Sequence, residues 1–125
     1  MATSKHRPTA PVTLSTHVLD AALGRPARDV HVVLLRLAPQ GWTRVADGRT
    51  DADGRLRPLD DEGQVVDLER STYRLDFDTA AYFTATGQVG FYPQVSVTFE
   101  VTDPAVHHHV PLLLSPFAYS TYRGS

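Results

Sequence analysis

The chain has 125 residues, a net charge of −2 at neutral pH and no cysteine. That length supports one domain with its own core, and the missing thiols exclude disulfides, thiolate metal sites and cysteine nucleophiles. Lys5 is the sole lysine, arginine is dispersed, and no apolar run is long enough to span a bilayer, so neither nucleic acid nor membrane is an expected partner.

Residues 1–11 are polar and proline-containing, without the apolar stretch of a secretory signal; they read as a flexible lead-in, and a cytoplasmic location is expected. From Val12 a strand begins, over 12–19, with Val12, Leu14, Thr16 and Val18 on one side and Thr13, Ser15 and His17 on the other. Residues 29–37 are almost continuously apolar and β-branched early, which predicts a central strand covered on both faces. A further strand is predicted over 42–50, then a turn at Asp53-Gly54 with Arg55 just beyond it. Tyr73, Leu75 and Phe77 alternate with Arg74, Asp76 and Asp78, a half-buried strand. The pattern breaks over 79–86, where Ala80, Ala81, Tyr82 and Phe83 precede Gly87, predicting one short helix ended by glycine. Strict alternation returns with Val95, Val97, Phe99 and Val101. Thr102-Asp103-Pro104-Ala105 then reads as a turn joining two strands in a hairpin. Strands over 106–114 and 117–122 close the chain. Seven or eight short strands and one small helix make this an all-β sandwich, with a single domain over 12–125. The last strand is apolar, aromatic and free of lysine, so cover by another subunit is expected.

Histidine is the residue type that points to chemistry. His107 and His109 fall on one strand face, with His108 turned to the other beside Val106, Val110 and Leu112. Two imidazoles at i and i+2 can share a metal ion, with His17 as the third ligand a zinc hydrolase would need. A lone strand histidine is ordinarily just solvated or packed, and Arg55 or Arg123 alone is an ordinary surface arginine. Together, two guanidiniums and two or three imidazoles form a pocket suited to a planar, carbonyl-rich or anionic small molecule. Neutral histidine can take a proton near pH 7. No Ser-His-Asp order is present and Ser125 ends the chain, so activation of water fits better than a serine nucleophile.

Four segments carry a resemblance. Thr16-His17-Val18-Leu19-Asp20, Thr50-Asp51-Ala52-Asp53-Gly54-Arg55, the run from His109-Val110-Pro111 to Ser115-Pro116-Phe117, and terminal Tyr122-Arg123-Gly124-Ser125 resemble the transthyretin-related proteins, and among them the 5-hydroxyisourate hydrolases. The likeness covers about Thr13 to Ser125, and the terminal tetrapeptide is its most specific part. It implies a transthyretin-like (prealbumin-like) sandwich of two four-stranded sheets with one short helix, assembled as a homotetramer with sites at the dimer–dimer interface. It also implies hydrolysis of 5-hydroxyisourate in urate degradation without a cofactor or metal. On that resemblance His17, Arg55 and His109 are catalytic, while Tyr122, Arg123, Gly124 and Ser125 bind substrate. His108 departs from relatives that carry tyrosine there. Two alternatives stay open: a small-ligand carrier of the transthyretin type, whose channel would show apolar and ammonium groups without the His/Arg set, and the zinc hydrolase using His17, His107 and His109.

Overall fold

The computed structural model describes residues 14–125; the lead-in expected over 1–11 lies outside the described residues. In chain order the elements are β1 (Leu14–Asp20), β2 (Arg25–Pro26), β3 (His31–Ala38), β4 (Gly41–Arg49), β5 (Arg55–Leu56), β6 (Ser71–Phe77), α1 (Thr79–Ala85), β7 (Val95–Val101), β8 (His108–Ser115) and β9 (Ala118–Thr121). One sheet runs β9-β8-β1-β2, with β5 also paired to β1, and the other runs β4-β3-β6-β7. Two-residue β2 and β5 share one side of β1, so the first sheet has four strands plus a short fifth. They are too short to leave a periodicity in the sequence.

Alternation decides which side of each strand meets the core. On β1, Leu14, Thr16, Val18 and Asp20 are buried and Ser15, His17 and Leu19 are half-buried on the opposite face. On β6, Tyr73, Leu75 and Phe77 point inward. These faces close over Val18, Leu112 and Leu114 from one sheet and Leu34, Leu75, Phe77 and Val95 from the other. Fully burying side chains of this kind contributes about 1.5–3 kcal/mol each.

The helix closes one end of the sandwich. Asp78 caps it by accepting from the Ala81 amide at 3.2 Å. Thr79, Tyr82 and Phe83, at helical spacing, are its buried residues. It stops where Gly87, at φ +71°, lets the Gln88 amide reach the Phe83 carbonyl at 2.8 Å. Tyr82 donates at 2.6 Å to Asp20, which also accepts from Gln88 and from the Ala22 and Leu23 amides. Burial opposes that charge, but these donors, the Tyr82 hydroxyl first, outweigh it and hold the Asp20 carboxyl below its ordinary value.

Two expectations are corrected. The Thr102-Asp103-Pro104-Ala105 turn does not close a hairpin: β7 and β8 belong to different sheets, and the turn carries the chain across the sandwich. β3 is central in its sheet but covered on one face only. Val32 and Leu34 are buried, Val33 and Leu35 are half-buried and Leu37 is exposed, because the helix turns Tyr82 to Asp20 of the other sheet and leaves the outside of this one uncovered. Among the described residues no helix is long and apolar enough to cross a membrane.

Candidate active site

The parallel pairing of β1 with β8 builds the site. It sets Ser15 opposite His109 and His17 opposite Pro111, while antiparallel β5 sets Arg55 opposite His17. Partner residues in a ladder project to the same face. The half-buried outer face of β1 therefore gathers Arg55, His17, Ser15 and His109 from three adjacent strands that are far apart in sequence. One strand over and two residues along puts the His17 and His109 Cα atoms roughly 8 Å apart, within the joint reach of two imidazoles and a guanidinium around one small ring.

Each side chain is held from behind. The His17 Nε2 lies 2.8 Å from the Asp53 carbonyl oxygen. A carbonyl only accepts, so this nitrogen carries the proton and neutral His17 keeps its lone pair on Nδ1. The Asp53 carbonyl is fixed by a tight turn. Asp51 accepts from the Asp53 and Arg55 amides, both at 2.9 Å, and its own amide donates to the Arg55 carbonyl at 2.9 Å. The Arg55 and Asp53 amides, with the Arg55 and His17 charges beside them, hold the Asp51 carboxyl below its ordinary value. Gly54, at φ +76°, completes the turn and accepts from the Val18 amide at 2.8 Å. A Cβ there would collide with the Val18 carbonyl oxygen and press on Pro26, so only glycine fits. The Arg55 guanidinium makes no hydrogen bond or ion pair among the described residues, which leaves its donors for a ligand. A cavity of about 460 Å³ opens beside it, bordered by Ser15, Arg49, Asp51, Arg55 and Arg57.

His109 is held through Ser15. Its Nδ1 is 2.8 Å from the Ser15 hydroxyl, and the same hydroxyl lies 2.8 Å from the His107 Nε2. Burial, with Arg55 and His17 nearby, pushes the His109 imidazole below its ordinary value, although the Ser15 backbone acts the other way. It is neutral at pH 7, the state a base requires. His107 is shifted the same way by burial and by Arg57 and the neighbouring histidines. His108 turns inward as its parity predicts, and its buried Nδ1 has no hydrogen-bond partner among the described residues.

The terminal tetrapeptide divides. The Gly124 amide donates to the His109 carbonyl at 2.9 Å, and a Cβ at Gly124 would strike the His109 ring. The glycine therefore lies flat on the imidazole. Tyr122 and Arg123 border a cavity of about 340 Å³ that includes His108, His109, Val97 and Phe99, on the open side between β7 and β8. Ser125 is exposed. Within the described chain no hydrogen bond joins Tyr122, Arg123 or Ser125 to His17, Arg55 or His109. The zinc alternative is not borne out by geometry: among the described residues no three His, Cys, Asp or Glu side chains gather to hold a metal, so His17, His107 and His109 do not form that set. Ser15 and Asp51 were not singled out from the sequence. The signal for Ser15 was its place two residues before His17 on the same face.

Comparison with known proteins adds an independent line. Residues 14–124 match the HIUase/Transthyretin family. Over 112 residues the chain is 43% identical to the 5-hydroxyisourate hydrolase of Salmonella dublin, covering 90% of this chain and 80% of that one. Over 114 residues it is 46% identical to the 5-hydroxyisourate hydrolase of Mus musculus, covering 90% and 94%. Among solved structures, sea bream transthyretin in complex with thyroxine superimposes with a TM-score of 0.80 at 33% identity, covering 90% of this chain and 94% of that one. Klebsiella pneumoniae 5-hydroxyisourate hydrolase gives 0.77 at 34%, covering 90% and 98%. An (S)-allantoin synthase gives 0.80 at 34%, covering 93% of this chain, which spans only 44% of that longer protein. Carrier and hydrolase thus share this fold about equally, and the choice between them falls to the side chains.

Proposed function

The chain belongs to the HIUase/Transthyretin family, and from that premise we propose that it is an enzyme that hydrolyses 5-hydroxyisourate to 2-oxo-4-hydroxy-4-carboxy-5-ureidoimidazoline in urate degradation. The observation that carries this reading is the convergence of His17, Arg55 and His109 on one sheet face through the β1–β8 and β1–β5 pairings. A carrier has no use for a neutral imidazole locked by a hydroxyl beside a guanidinium that has no partner among the described residues. A hydrolase does.

In the mechanism this arrangement supports, water is held between His17 and His109, and His109 Nε2 takes its proton as hydroxide adds to a ring carbonyl. The low proton affinity of His109 keeps it unprotonated beforehand. Negative charge grows on the carbonyl oxygen, and Arg55 meets it with donors already in place, a contribution worth roughly 100- to 1000-fold in rate. The adjacent C–N bond then opens, the nitrogen takes a proton, and the new carboxylic acid ionises. Tyr122, Arg123 and Ser125 orient the substrate in this reading, with Gly124 letting the tail lie against His109.

The same reading extends to the assembly. A homotetramer with sites at the dimer–dimer interface would cover β9, every residue of which is exposed, together with Phe91 and Phe117, each about 70% exposed. Residues 12–125 act as one hydrolase domain in it, and the location is cytoplasmic. To test the activity, 5-hydroxyisourate is generated in situ from urate with urate oxidase and its ultraviolet decay is followed. The protein should accelerate that decay far beyond the spontaneous rate. No acceleration by folded protein would move the assignment to a ligand carrier.

A further inference from the structure

The Ser15 hydroxyl lies 2.8 Å from both the His109 Nδ1 and the His107 Nε2. We infer that Ser15 is the positioning residue for His109, and that Ser15 and His107 form a relay that holds the proton at the exposed start of β8 until the leaving nitrogen takes one. This rests on the hydrolase reading above and assigns roles to two residues that reading leaves unused.

A hydroxyl has one proton. When both imidazoles are neutral, it donates to one ring nitrogen and accepts from the other. If His109 Nδ1–H donates to Ser15 Oγ, and Ser15 Oγ–H donates to His107 Nε2, the His109 lone pair is on Nε2, free to face water. The reverse direction would put a proton on His109 Nε2 and disable it as a base. Water gives up a proton on attack before the leaving nitrogen takes one, so the charge needs a place to rest between the two steps. When His109 Nε2 binds a proton, its Nδ1–H bond breaks toward Ser15 Oγ as the Ser15 proton moves to His107 Nε2. The positive charge shifts from half-buried His109 to exposed His107. When the leaving nitrogen takes the His109 Nε2 proton, the Ser15 proton returns to His109 Nδ1 and the His107 proton to Ser15 Oγ, which restores the Nδ1–H tautomer. The charged groups bearing on this path are Arg55 and His17 at His109, and Arg57, His108 and His109 itself at His107. Among the described residues these groups are all basic, which keeps the stay of the proton on either imidazole short.

The test has an arm that does not depend on the reaction. Ring-nitrogen NMR on the unliganded protein should show neutral His109 as the Nδ1–H tautomer, with that preference weakened in Ser15→Ala and retained in Ser15→Thr. In the hydrolysis assay, Ser15→Ala should lose roughly ten- to hundredfold in rate, the scale seen when a histidine's orienting partner is removed. It should also shift the acid limb of the pH–rate profile, and Ser15→Thr should restore both. Exposed His107→Gln keeps an acceptor for Ser15 but cannot carry a proton. Its rate should fall and recover with added imidazole, to which the wild type is indifferent. A His109 Nε2–H tautomer in the wild type would overturn the proposal, as would a Ser15→Ala enzyme with unaltered rate and profile. A His107→Gln rate that ignores imidazole would overturn the relay. A wild type with the expected tautomer but no hydrolysis would instead sink the reaction assignment.

Discussion

Gly124→Ala separates a shape requirement at the C-terminus from mere tail flexibility. A Cβ at this position runs into His109 Cδ2 and lies 3.1 and 3.2 Å from Cγ and Cβ of the same side chain. The ring cannot swing freely, because its Nδ1 is tied to Ser15 at 2.8 Å. Either the tail lifts, losing the 2.9 Å bond from Gly124 to the His109 carbonyl, or the ring moves and loses Ser15. One hydrogen bond contributes about 0.5–1.5 kcal/mol, which for a chain of this size lowers the melting temperature by roughly 3–6 °C at most. The kinetic cost is larger, since a misplacement of about 1 Å at a reacting group costs on the order of 100-fold. We therefore expect kcat/KM for 5-hydroxyisourate to fall about 10- to 100-fold while the melting temperature changes little. Ultraviolet decay of the in situ substrate gives the first quantity and thermal unfolding the second. A variant with wild-type kinetics would refute the claim that the tail must lie against His109.

Other outcomes follow from the same contacts. His109→Ala should lose at least about tenfold in turnover with its fold intact, on the scale of acid–base groups, and a near-normal rate counts against its assignment. The acid limb of kcat/KM should lie below the ordinary histidine value of about 6.5, because burial lowers His109. The same shift makes stability rise with pH between the lowered folded value and about 6.5, where the unfolded chain binds more protons; titration of the His109 ring by NMR checks both. Tyr82→Phe removes the 2.6 Å bond to buried Asp20 and should cost about 1–3 kcal/mol by urea unfolding. Since Asp20 is depressed in the folded state, its contribution is full above about pH 4 and is lost as pH falls through the folded value. The gap between the two proteins should narrow there, and a constant gap would contradict the linkage.

How much of this was legible in the sequence follows from what each residue pattern can encode. Period two in Ser71–Phe77 and Val95–Val101 reports one buried face, and the structure has it. The same parity separated His107 and His109 from His108. What a strand faces was legible; what it pairs with was not. The Thr102-Asp103-Pro104-Ala105 turn has the same chemistry whether its strands pair or cross between sheets, so the predicted hairpin failed. The parallel β1–β8 ladder joins residues more than ninety positions apart, and no local pattern announces it. It is also what brings Ser15 to His109. The tail was read as one unit, yet it divides, with Gly124 on the His109 ring and Tyr122 and Arg123 bordering the gap between the sheets.

The central claim is that His17, Arg55 and His109 work as one catalytic unit, and the most direct measurement is the decay rate of 5-hydroxyisourate with His17→Ala, Arg55→Ala and the double variant. The account predicts that each single change costs roughly 100-fold or more, and that the double variant loses far less than the product of the two, as residues acting together do. Folded single variants within about twofold of the wild-type rate, well short of any such loss, would contradict it.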